Sequence, residues 1–135
     1  MKATVISGMG LSMLLAFAPA QAEFAEQAWV ARYNGSEQGK DNAEAVALGA
    51  AGDVYVTGFS DSGGGNYDYA TVKYNGKGSQ LWAARYDGES RAADWVRALA
   101  VDSAGNVVVT GSSTGEATGF DFATVKYDAA GEQLW

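Results

Sequence analysis

A single offset organises most of the chain. Trp29, Trp82 and Trp135 lie 53 residues apart (82 − 29 = 53), as do Asp41 and Asp94, Gly58 and Gly111, and Asp68 and Asp121. Because the offset never slips, no insertion or deletion separates the copies, and the chain is a tandem repeat. The clearest matched stretches are DYATVKY, residues 68–74, and DFATVKY, residues 121–127. Tyr69 and Phe122 keep the ring and differ in its hydroxyl, so the position calls for packing.

Four extended segments are legible in one copy. AEAVAL (43–48) is matched by VRALAV (96–101), and DVYVTG (53–58) by NVVVTG (106–111). DYATVKY is the third, and QLWAARY (80–86) the fourth, anticipated by AWVARY (28–33). Turn chemistry separates them: GAAGD and DSAGN between the first and second, NGKGS and DAAGE between the third and fourth. Eighteen glycines against one proline, with 47% hydrophobic and 19% charged residues, fit a folded chain of short strands. The expected fold class is all-β, with about four strands in each roughly 50-residue unit, the anatomy of a β-propeller blade.

The pattern D-x-x-x-A-x-A-x-x-x-x-G-(D/N)-V-x-V-T-G-x-S, followed by D-(Y/F)-A-T-V-K-Y-x-x-x-G-x-Q-L-W, resembles the SBBP repeat of extracytoplasmic bacterial β-propellers. The resemblance covers essentially everything after the first residues. It implies a propeller fold and an exported location, and the family has no common catalytic residues to carry over. The expected architecture is therefore two four-stranded antiparallel blades in an incomplete ring. An outer strand spans about 27–33, blade one about 41–86 and blade two about 94–135, the last truncated. Two copies are too few to close a ring, since each end leaves an apolar face bare. Three arrangements are open: a piece of a longer propeller, a ring completed by copies of the chain, or a two-blade module.

Repeated residues acquire packing roles in this scheme. Trp29, Trp82 and Trp135 sit on outermost strands, where a large ring fills the wedge between blades. Gly58 and Gly111 close the second strand where the chain leaves the sheet. Asp68 and Asp121 open the third strand, Lys73 and Lys126 suit a blade-to-blade salt bridge, and Glu44 and Arg97 suit a charge pair between inner strands.

Residues 1–22 read as a signal peptide. Lys2 precedes an apolar run and the small residues of AQA, with cleavage after Ala22. The run is shorter than the ~20 residues of a spanning helix, so no membrane span remains after cleavage. Export to the periplasm, the cell surface or the medium follows. The formal net charge is −7 and becomes more negative once Lys2 is lost. With no Lys/Arg cluster, nucleic acid and anionic membrane surfaces are poor partners.

The absence of histidine and cysteine excludes His-based triads, thiol nucleophiles, disulfides and the usual zinc and haem ligands. The links from fourth to first strand (34–41 and 87–94) and from second to third strand (59–67 and 112–120) are the longer ones, and they gather acidic residues at one end. Two chemistries arise there. Asp61, Asn66 and Asp68 offer oxygen ligands for calcium in a glycine-rich loop, against the alternative of a loop capped by an aspartate. Asp41 and Asp94 form an acid/base pair for glycoside cleavage, against a structural role at equivalent repeat positions. The preferred expectation is a non-catalytic protein without cofactor that binds protein or carbohydrate, with homo-oligomerisation as a route to a ring. The alternative is a carboxylate-dependent polysaccharide hydrolase or lyase.

Overall fold

The computed structural model describes residues 25–135; the leader expected at 1–22 lies outside them. The described residues hold seven strands and no helix: β1 Asp41–Leu48, β2 Val54–Gly63, β3 Asn66–Tyr74, β4 Gln80–Tyr86, β5 Trp95–Val101, β6 Val107–Gly115 and β7 Gly119–Tyr127. They make two antiparallel meanders, a first sheet ordered β1-β2-β3-β4 and a second ordered β5-β6-β7. Neither sheet closes into a barrel. Gln133 bridges Tyr127, and Leu134 and Trp135 exchange backbone bonds with Lys126. This repeats the Lys73–Trp82 register of β3 and β4, so the last residues start a fourth strand beside β7.

Hairpins recur because their caps recur. Asn75 Oδ1 accepts the amides of Lys77 and Ser79, and Asp128 Oδ1 accepts those of Ala130 and Glu132. A side-chain oxygen two residues before the amide it caps stabilises the turn. The glycines in these turns, Gly78 (φ 82°) and Gly131 (φ 90°), are left-handed and covered by indoles. A Cβ on Gly78 would lie 2.7 Å from Trp29, and one on Gly131 2.8 Å from Trp82.

The core lies between the sheets. Alternation sends Tyr55, Thr57, Tyr69 and Thr71 from the first sheet towards Val96, Val107, Val109, Val125 and Tyr127 of the second, and all nine are buried. The Tyr69 hydroxyl donates to the Ala123 carbonyl at 3.4 Å, passing over Gly111, where a Cβ would lie 2.8 Å from it. Trp82 spans the seam, its ring 6.2 Å from Tyr55 and 6.3 Å from Tyr127, and its Nε1 donates to the Ala129 carbonyl at 3.1 Å. Glu44 and Arg97 meet across the seam at 3.9 Å, with Arg97 largely exposed, a geometry worth little energy.

Several expectations are corrected. Residues 27–33, expected as an outer strand, carry no strand pairing among the described residues. Trp29 instead lies against Tyr74, ring centroids 6.3 Å apart. Gly58 and Gly111 do not end their strands; each sits within β2 or β6, opposite a register shift in β1 or β5. The shift pushes the carbonyls of Asn42 and Trp95 onto these glycines, leaving no room for a side chain. The link from second to third strand is a tight turn, since β2 runs to Gly63 and pairs with Asn66. Lys73 does not bridge the two sheets: its Nζ pairs with Asp53 at 3.0 Å and lies 5.1 Å from the Tyr55 ring centroid, all within the first sheet. Its pKa is raised, because although burial pulls it down, the bonds to Tyr55 and Asp53 outweigh that.

One buried group is left unsatisfied. The Tyr127 hydroxyl has no hydrogen-bond partner among the described residues, and burial, with Tyr86 nearby, pushes its pKa up to about 12. An unpaired buried hydroxyl costs about 1–3 kcal/mol, so Tyr127→Phe is expected to stabilise the fold by about 1 kcal/mol in thermal melts at neutral pH. A raised folded pKa is a contribution present below the unfolded value near 10 and lost as pH climbs through about 12. The variant's advantage therefore widens in melts above pH ~10.

Candidate functional site

The acidic residues gather where the strand ends and the irregular links 34–40 and 87–94 meet. The Lys40 carbonyl accepts the Asp61 amide, the Arg91 carbonyl accepts from Asn66 Nδ2, and Ser90 Oγ donates to the Thr114 carbonyl. At the centre, one carboxylate oxygen from each of Asp68, Asp87 and Asp94 lies within 4.8 Å of the other two. Asp68 is the third residue of β3, paired with Ser60, so the strand begins before the aspartate expected to open it; Asp87 follows β4, and Asp94 precedes β5.

Two of the three are already engaged. Arg85 Nη2 donates to Asp68 Oδ2 at 2.9 Å and to the Ser60 carbonyl at 3.2 Å, while Nη1 donates to Ser60 Oγ at 3.1 Å. Ser62 Oγ adds a contact to Asp68 Oδ1 at 3.3 Å. Asp94 is fully buried; its Oδ2 accepts the Gly88 amide at 2.7 Å and its Oδ1 accepts the Thr114 amide at 3.2 Å. It thereby ties the link 88–94 to β6. Gly88 has no space for a side chain between Asp94 and Ser113 Oγ.

Asp41 makes the first of these two bonds one repeat earlier. Its Oδ2 accepts the Gly35 amide at 3.1 Å, and Gly35 is packed against Ser60 Oγ as Gly88 is against Ser113 Oγ. Asp41 and Asp94, read from the sequence as an acid/base pair, each hold the amide of a link glycine, and the carboxylates beside Asp94 are Asp68 and Asp87, not Asp41. The calcium set diverges as well. Asp61 Oδ1 accepts the Gly63 amide at 2.7 Å, Asn66 Nδ2 donates to Arg91, and Asp68 faces Arg85. Asp121 accepts the Thr118 hydroxyl.

Asp87 was not legible as a site residue. Its equivalent at the offset is Asn34, and the appearance of a charge where the other copy has an amide was the available signal. Asp87 is exposed, yet partial desolvation, then Asp68 and Asp94, raise its pKa, and Arg91 and Arg85 oppose this. A carboxyl with a raised folded pKa favours the fold when protonated and opposes it when ionised. Asp87→Asn is accordingly expected to raise the melting temperature at pH 7 by the equivalent of under about 1 kcal/mol. That gain shrinks as the pH falls through the carboxylate range, which melts at pH 7 and pH 4 measure.

A concavity lies on the outer face of the first sheet. It encloses about 230 Å³, floored by Val56, Gly58, Ala70 and Val72 and walled by Trp29 and Tyr33. Neither a comparison with protein-family models nor one with curated proteins finds a match for the chain. Among the described residues, no helix is long and apolar enough to cross a membrane.

Proposed function

We propose that the chain is a non-catalytic, exported β-propeller repeat protein in which each 53-residue unit is a blade and the stacked blades form a scaffold or binding surface for protein or carbohydrate. The observation that carries this reading is the face-to-face seating of one repeat unit on the next through repeat-equivalent residues, with Trp82 bridging them as Trp29 covers the first sheet. Sheets that bury one face only against a sister unit are stable by stacking. The resemblance to the SBBP repeat and the leader read at residues 1–22 support export.

The acidic end serves this scaffold. Asp94 and Asp41 hold links in place, and Arg85 neutralises Asp68. The chain purified after export, incubated with a panel of polysaccharides, is expected to release no reducing ends, and Asp94→Asn is expected to lose stability. Turnover by the wild-type chain that Asp41→Asn or Asp94→Asn abolishes without unfolding would replace the scaffold with a glycoside hydrolase or lyase.

A further inference from the structure

We infer that copies of this chain associate head to tail, the outer face of the second sheet of one copy seating on the outer face of the first sheet of the next. The inference rests on the stacking reading above and names the partner of the two open faces. Each is the repeat-equivalent of one half of the interface already formed inside the chain.

The projecting half is copied on the second sheet. Phe122 stands at the offset place of Tyr69; Tyr69 is 0% exposed and Phe122 is 98% exposed. Phe120 stands at the place of Tyr67, which packs against Phe59 and Trp95, and is itself 65% exposed. Between the sheets Thr57 Oγ1 lies 2.9 Å from Thr71 Oγ1 and bonds the Ala70 carbonyl; on the open face Thr110 does the same with Thr124, also at 2.9 Å, and with Ala123. The backbone and polar framework of a buried face is thus already assembled on an exposed one.

The receiving half is copied on the first sheet. Val56, Gly58, Ala70, Val72 and Tyr74 line the concavity, and they are the offset equivalents of Val109, Gly111, Ala123, Val125 and Tyr127, against which Tyr69 and its neighbours pack. Val46 and Leu48 take the places of Leu99 and Val101, which lie against the core, and are 66% and 74% exposed. The edge is already covered, since Trp29, Ala31 and Tyr33 occupy the places that Trp82, Ala84 and Tyr86 hold over the second sheet. Gly58, Ala70, Val72 and Tyr74 are buried beneath that cover, so what stays open is the concavity they line, with Val46 and Leu48 exposed on the same face. A ring at the Phe122 position enters it as Tyr69 enters over Gly111.

Charge agrees with this pairing. Within the chain Glu44 of the first sheet faces Arg97 of the second. Applying the offset to both places Arg97 of one copy opposite Glu44 of the next, again opposite in sign. Because the two faces differ, the contact is heterologous and propagates until it closes a ring or continues as a filament.

Sedimentation of the exported, purified chain across micromolar concentrations is expected to give particles of two or more chain masses. Phe122→Asp and Val46→Asp change side chains that are exposed in the monomer. Each alone is expected to weaken association roughly 30-fold or more and leave single chains. Mixed in equal amounts they are expected to form a dimer and nothing larger, since one intact pair of faces remains. Wild-type chains that stay single, variants that still assemble, or a mixture that stays single would each overturn the inference. So would a single wild-type chain that gains mass only with a glycan or an unrelated protein, and does so through Phe122. If assembly fails while Tyr69→Ala still destabilises the chain, the stacking reading stands and only the association between copies falls.

Discussion

Tyr69→Ala is expected to lower stability by about 3–5 kcal/mol, the range for emptying a buried aromatic site, and the loss should appear as a lower midpoint in urea unfolding. The ring is wholly buried between the sheets, touches Tyr86 at a centroid distance of 5.3 Å, and carries a hydroxyl that reaches Ala123 in the other sheet. Collapse around the cavity is limited because its floor is backbone: Gly111 is pinned by the Trp95 carbonyl at the β5 register shift. Tyr69→Phe separates ring from hydroxyl. The 3.4 Å bond is long and Phe122 occupies the equivalent position, so this change is expected to cost no more than about 1 kcal/mol.

Asp94→Asn is expected to cost about 2–4 kcal/mol, because hydrogen bonds to a charged acceptor are worth about 1.5–3 kcal/mol each and an unpaired buried group adds to the loss. Both Asp94 oxygens accept backbone amides, from Gly88 and Thr114. An amide side chain keeps one acceptor and turns a donor towards the other N–H. Asp41→Asn removes a single accepted bond at a less buried site and is expected to cost about 1 kcal/mol. Urea midpoints of the two variants measure the contrast; equal effects on both would contradict the structural role derived from their different burial.

Much of this arrangement is legible in the sequence because a repeat states each contact twice. The ring at 69 and 122, the tryptophan at 29, 82 and 135, and the Asn or Asp that opens each hairpin all mark positions with a fixed neighbour. What escapes the sequence depends on pairing between strands. The glycines of SGGGN look like a loop, yet Gly63 pairs with Asn66 through backbone atoms alone and needs no side chain to do so. Gly58 looks like a strand end because nothing local announces the register shift at Ala43 and Ala45 that drives a carbonyl onto it. Lys73 reads as facing another unit, and it does lie on that face. Asp53, beside the cross-strand neighbour Tyr55, captures it first.

The site follows the same division. Asp41 and Asp94 are visible as equivalents, and equivalence alone favours a shared structural task, which the Gly35 and Gly88 amides supply. The approach of Asp68 and Asp87 to Asp94 arises because the end of β4 and the start of β3 in one sheet meet the entry to β5 in the other. No spacing within a single unit encodes that meeting.

Amide hydrogen exchange under native conditions tests the central claim most directly, because it reads the opening free energy of each sheet separately. If the sheets are stable by stacking, the amides of Val56 and Val72 in the first sheet and of Val109 and Val125 in the second share one opening free energy, and Tyr69→Ala lowers all four together. Two distinct levels, with the substitution felt only in β2 and β3, would mean that each sheet stands alone.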